Sequence, residues 1–212
     1  MYEFEREELV KNLIRKGIKG KEILNAILKV ERHNFIPKSM WKDAYLDTAL
    51  PIGYEQTISQ PYTVAVMTEA LEVKKGDKIL EIGTGSGYQA AILSRMGAQV
   101  FSIERNYQLY LLVRKRFDDL GIHAALKYGD GTIGWSEVSP FDGIIVTAGS
   151  PDIPQTLVRQ LKNRGKMVIP VGNKYEQDMV IIEKIDDNKI SKKVIPHFAF
   201  VKLIGREGWK KE

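Results

Sequence analysis

Between Ile82 and Tyr88 the chain reads Gly-Thr-Gly-Ser-Gly, and two carboxylates stand in register with it: Glu81, two residues before Gly83, and Glu104, nineteen after Gly85. Alternating glycines let the backbone turn sharply and let a ligand come close to main-chain N–H groups. The following "YQAAILSRMG" has a helical pattern, and the first N–H groups of a helix lack intrahelical partners, so they point at whatever binds there. The spacing is G-x-G-x-G, not the G-x-G-x-x-G that seats a pyrophosphate. With an acid at the strand end, it suits a nucleoside without a pyrophosphate. S-adenosylmethionine is such a ligand, with S-adenosylhomocysteine as its product form. Glu81, Gly83, Thr84, Gly85, Ser86 and Gly87 are therefore expected on the cofactor side. Glu104, closing the next strand, can accept both ribose hydroxyls; its competing reading is a surface pair with Arg105 or a lysine. A plain tight turn is the competing reading of the loop, but three alternating glycines exceed what a turn needs.

Two later stretches extend the set. In "YGDGTIGW", Asp130 and the Gly131 backbone can edge an adenine, although "GDG" alone also reads as a turn. Thr147 and Ala148 end the apolar run "FDGIIV", where open α/β sheets keep their ligands.

The elements that must carry these residues follow from periodicity. "EREELVKNLIRKG" places Leu9, Leu13 and Ile14 on one helical face, and "KEILNAILKVER" repeats the pattern. An irregular stretch broken at Pro37 then runs to about Pro61, and "YTVAVMTEALEV" is a third helix. From "KILEIG" onward, short apolar runs alternate with helical ones: "QVFSIER", "YQLYLLVRKRFDDLG", "HAALKYGDG", "FDGIIVTAG", the helix "PQTLVRQLKNRG" and the strand "KMVIPVG". Such alternation specifies a doubly wound, mostly parallel α/β sheet. The tail, "DMVIIEKID", "KISKKVI" and "HFAFVKLIG", reads as three antiparallel edge strands with a turn at Asp186–Asn188. Residues 1–75 are expected to form a helical extension with a substrate loop, and residues 76–212 the cofactor-binding core, as one integrated domain.

The totals exclude several chemistries. The 212 residues carry no cysteine, which removes disulfides, thiolate metal sites and cysteine nucleophiles. The histidines His33, His123 and His197 are scattered without metal-ligand spacing, and no metal is expected. The net charge of +5 is spread along the chain rather than clustered as a nucleic-acid footprint. The charged start lacks the apolar core of a secretory signal, and no apolar run approaches the ~20 residues of a membrane span. A soluble cytoplasmic protein without membrane or nucleic-acid partners is expected.

Taken together, "ERHNFIP", "LPIG", "QTISQP", "ILEIGTGSGYQAAIL", "YGDGTIGW", "FDGIIVTAGSPDIPQTLVRQLKNRGKMVIPVG" and "FVKLIG" resemble the protein-L-isoaspartate O-methyltransferase family from roughly Glu31 to Gly205. The resemblance implies a Rossmann-like methyltransferase sheet with helices on both faces. It also implies methyl transfer from S-adenosylmethionine to the free carboxylate of L-isoaspartyl residues in damaged proteins and peptides, which starts repair through a succinimide. Ser59 is then the active-site residue, with Thr57, Ile58 and Val201 on the substrate wall. On spacing alone Ser59 instead reads as the cap of the helix near Pro61. Two positions depart from the family pattern: Glu55 stands where glycine is usual, and Lys202 where proline is frequent.

Other functions leave other marks. An amine-directed nucleic-acid methyltransferase places Asn/Asp-Pro-Pro-aromatic after the fourth strand, where this chain reads "TAGSPDIP". A non-catalytic adenosyl-binding module has no use for "QTISQP".

Overall fold

The computed structural model describes residues 2–187 and 189–210; Asn188, part of the expected Asp186–Asn188 turn, lies outside them. Helices α1 (Glu3–Arg15) and α2 (Lys21–Lys29) open the chain. Leu9, Leu13, Ile23 and Ile27 are buried, whereas Ile14 is 52% exposed and does not join the face it was assigned to. Two 3-10 turns, Arg32–Phe35 and Lys38–Asp43, follow.

The stretch with no legible period folds as a hairpin of strands β1 (Leu50–Gly53) and β2 (Gln56–Ile58), with Leu50 opposite Ile58. Tyr54 and Glu55 turn it, both with left-handed φ, 53° and 58°. Two left-handed residues in succession match the twist of the flanking strands. Helix α3 (Pro61–Leu71) begins three residues after β2.

The core alternates as expected: β3 (Lys78–Ile82), α4 (Tyr88–Arg95), β4 (Gln99–Glu104), α5 (Tyr107–Leu120), β5 (Ala124–Tyr128) and β6 (Phe141–Val146). Helix α6 (Gln155–Arg159) precedes β7 (Leu161–Gly172), β8 (Gln177–Asp186) and β9 (Lys189–Phe198). Among the described residues these strands form one seven-stranded sheet in the order β5-β4-β3-β6-β7-β8-β9. The first five run parallel, β8 pairs antiparallel with β7, and β9 pairs antiparallel with β8. Chain order reverses between β3 and β6, and the crevice at their carboxyl ends is where open sheets bind ligands.

Two expectations about the second half are corrected. The helix expected through Gly165 stops at Arg159, because Leu161 joins the sheet opposite Phe141 and is buried there. The third tail strand is not formed: β9 runs through to Phe198, and the residues beyond make only isolated bridges, such as Lys202 with Gly149.

Alternate residues of β3 face opposite sides. Ile79 packs with Val100, Ile145 and Val168 against α1–α5, while Leu80 and Ile82 pack with Ile144, Met167 and Leu157 of α6 on the other face. Leu9, Leu13 and Ile27 of the N-terminal helices belong to the first of these clusters, so the extension and the sheet share a core.

Candidate active site

At the β3–α4 junction Gly83, Gly85 and Gly87 have φ of 93°, 55° and 85°, a region that side chains with a Cβ rarely enter. The reasons differ along the loop. A Cβ on Gly87 would stand 2.5 Å from the Phe117 ring of α5, so Gly87 is set by helix packing. A Cβ on Gly85 would meet nothing nearer than 3.9 Å, so the space beside it is open to a ligand.

Glu104 is 5% exposed. Its Oε2 accepts the Gly85 amide at 2.8 Å and its Oε1 the Asn106 amide at 2.7 Å. The surface pair with Arg105 is not formed; the carboxylate is turned inward onto the loop. Each oxygen accepts one bond here and can accept another.

Glu81 lies wholly buried beneath the loop. Ser102 donates to its Oε2, and the Ser102 and Thr84 hydroxyls are hydrogen-bonded at 2.6 Å. Burial pushes the Glu81 carboxyl up to about 8; the Ser102 bond opposes this and the Glu104 charge adds to it. Burial therefore favours the protonated acid. Its Oε1 has no partner among the described residues, and Glu81 forms part of the wall of the adjoining cavity.

That cavity, about 670 Å³, is lined by Glu81, Gly83, Thr84, Gly85, Ser86, Glu104, Gly131, Thr147 and Ala148. Thr57, Ile58, Ser59 and Val201 line it as well. Residues assigned separately to cofactor and substrate thus share one space. Thr147 locks the switch point, its hydroxyl donating to the Gly83 carbonyl at 2.6 Å and to the Ile82 carbonyl at 3.0 Å.

Two assigned residues do not reach the wall. Gly87 packs against α5, as above. Asp130 is tied into the protein: Oδ1 accepts the Thr132 amide and hydroxyl at 2.9 and 2.7 Å, and Oδ2 the Arg206 amide at 2.8 Å. It buckles the C-terminal segment to the β5 loop, and Gly131 alone of the pair lines the cavity. That segment crosses the sheet's carboxyl edge, where Val201 and Leu203 bracket Gly149 through two 2.8 Å backbone bonds. It brings Phe200 and Lys202 to the wall, which periodicity had not signalled.

Ser59 sits between β2 and α3 and caps nothing. The N-cap of α3 is Gln60, without a side-chain cap, and Pro61 occupies the first turn. The Tyr62 amide is taken instead by Asp47 Oδ1 at 2.8 Å. The Ser59 hydroxyl makes no hydrogen bond to the described residues, leaving it available in the cavity.

The profile of the protein-L-isoaspartate(D-aspartate) O-methyltransferase family matches residues 4–208. The chain belongs to that family. A protein-L-isoaspartate O-methyltransferase of Pelodictyon phaeoclathratiforme is 49% identical over 210 residues, spanning 99% of this chain and 95% of that protein. One of Chlorobium phaeobacteroides is 51% identical over 207 residues, spanning 97% and 95%. A solved protein-L-isoaspartate O-methyltransferase superposes with a TM-score of 0.86 at 31% identity, covering 96% of this chain and 67% of that one. A Plasmodium falciparum member, solved in complex with S-adenosyl-L-homocysteine, superposes at 0.82 with 27% identity, covering 94% and 98%. The family departure at Glu55 acquires a location: it is the second left-handed residue of the hairpin turn.

Proposed function

We propose that this methyltransferase transfers a methyl group from S-adenosylmethionine to the free carboxylate of L-isoaspartyl residues in damaged proteins and peptides. The observation that carries the reading is the single cavity lined both by the Gly83–Ser86 loop and by Thr57, Ile58 and Ser59.

The residues fit the cofactor. Glu104 offers acceptors for a ribose, the open side of Gly85 admits a ligand to the backbone, and the orphan Glu81 Oε1 offers a polar atom in the wall. When bound, S-adenosylmethionine supplies an electrophilic methyl carbon. A substrate carboxylate, with a reference pKa of roughly 3.3–3.7 for an α-carboxyl, is already ionised near neutral pH. No proton has to be removed, so the protein's task is alignment, which removes about 7–11 kcal/mol of barrier in favourable cases. The Ser59 hydroxyl donates to one carboxylate oxygen and leaves the other to attack. A single neutral donor orients the anion, where a paired cation would quench it. Ile58 and Val201 form the apolar flank beside it.

Methylation removes the substrate's charge and provides a better leaving group, after which the next backbone nitrogen closes a succinimide without the enzyme. Protein rather than nucleic-acid substrates are supported by "TAGSPDIP" after β6. A cytoplasmic location accords with the finding that no helix among the described residues is long and apolar enough to cross a membrane. Labelled S-adenosylmethionine offered with an isoaspartyl peptide and its normal aspartyl twin tests the reading. Label is expected on the first alone, as a base-labile ester; label on both or neither overturns it.

A further inference from the structure

Arg32 belongs to "ERHNFIP", a motif with no part in the site so far. It heads the fully buried side chains by size, at 0% exposure. Its Nη2 donates to the Thr48 carbonyl at 3.3 Å, while Nε and Nη1 have no hydrogen-bond partner among the described residues. Burial lowers its pKa to about 10, and the Tyr88, Asp47 and Tyr45 side chains act in the opposite sense. A buried charge this poorly paired works against stability, and an apolar side chain of similar volume often serves a fold better. Its presence calls for a reason other than stability.

The reason lies in what the guanidinium touches. Thr48 is two residues before β1, at the root of the hairpin that leads to Ser59. On the other side the guanidinium carbon lies 5.0 Å from the centre of the Tyr88 ring. Tyr88 is the first residue of α4, directly behind the glycine loop, and forms part of the cavity wall. Next to Thr48, Asp47 binds Lys16 at 2.5 Å and the Tyr62 amide of α3, so the root of the hairpin is held from several elements. We propose that Arg32 is a positioning residue, joining the root of the Ser59 hairpin to the helix behind the cofactor loop and so setting the separation of the two reacting groups. The inference rests on the methyl-transfer reading. In a displacement without a proton shuttle, the rate follows alignment, and a displacement of about 1 Å can cost on the order of 100-fold.

The test compares Arg32→Met and Arg32→Lys with the unaltered protein. Three quantities are read: S-adenosylhomocysteine affinity and stoichiometry by calorimetry, kcat and KM on an isoaspartyl peptide, and amide hydrogen exchange across residues 47–58. Arg32→Met is expected to melt no lower than the parent and bind S-adenosylhomocysteine within about twofold. Its kcat per cofactor-binding site should fall about 10- to 100-fold, with faster exchange in the hairpin. Arg32→Lys keeps the charge but not the planar fork, and is expected not to restore kcat; it also carries the test should the methionine variant fail to fold. Parental kcat per site in either folded variant overturns the inference, as does a loss that only tracks the number of cofactor-binding sites. Failure of the functional reading looks different: the unaltered protein itself transfers no label.

Discussion

The Gly85 amide and the Glu104 carboxylate, nineteen positions apart, are joined by a 2.8 Å hydrogen bond. The bond ties the loop at the end of β3 to the end of β4 and orients the acid before any ligand arrives. Replacing Glu104 with alanine should weaken S-adenosylhomocysteine binding by about tenfold or more, since hydrogen bonds to charged groups contribute roughly 1.5–3 kcal/mol. Calorimetry measures this directly, and an unchanged dissociation constant removes Glu104 from the ribose site.

Ser59→Ala should act on the substrate rather than on the cofactor. Because Ser59 caps no helix, its loss leaves α3 intact. Turnover of an isoaspartyl peptide should drop about 10- to 100-fold, the equivalent of one hydrogen bond to an anion, with cofactor affinity unchanged. Parental turnover combined with weak cofactor binding would refute the role.

Glu81 makes stability depend on pH. Its carboxyl titrates near 8 when folded, above the ordinary carboxylate value of 4.5. Between these values the native protein holds a proton that the unfolded chain has released, so stability declines as pH rises through that window. Its contribution is complete below about pH 4.5 and lost above about pH 8. Glu81→Gln, which cannot ionise, should therefore gain on the parent between pH 5 and 8 and gain no more beyond. Melting curves across that range check it; a constant difference means Glu81 is ionised in the fold.

Glu55 occupies a left-handed turn position where it costs about 1 kcal/mol relative to glycine. Glu55→Gly should raise the melting temperature by roughly 2–4 °C for a chain of this size. A lower melting temperature would show that the glutamate side chain stabilises the hairpin by contacts that outweigh its backbone conformation.

Much of the fold was readable because it is written locally. The apolar runs at β3, β4 and β6, the helical periods of α2 and α5, and the glycine loop each depend on residues a few positions apart. The failures came where distant partners overrode local preference. "QLKNRG" has helical composition, yet Leu161 is worth more buried beside Phe141 than in another helical turn. "LPIGYEQTISQP" has no usable period because its strands are only four and three residues long, and its turn is made by Tyr54 and Glu55 without the usual glycine. The bond from the Arg206 amide to Asp130, seventy-six positions away, likewise leaves no local mark in the sequence.

By itself the sequence determined the alternating elements, the glycine-rich β–α turn, the acid at the end of the next strand and the absence of thiol chemistry, since each follows from residue type and short spacing. Only the tertiary structure decided that Ser59 and Glu104 border one cavity, that Glu81 is buried beneath the loop, and that Arg32 lies between the hairpin and α4. Those relations arise from parallel crossovers that bring remote segments to one edge of a sheet, and from burial, which depends on everything packed around a residue and not on its neighbours in the chain.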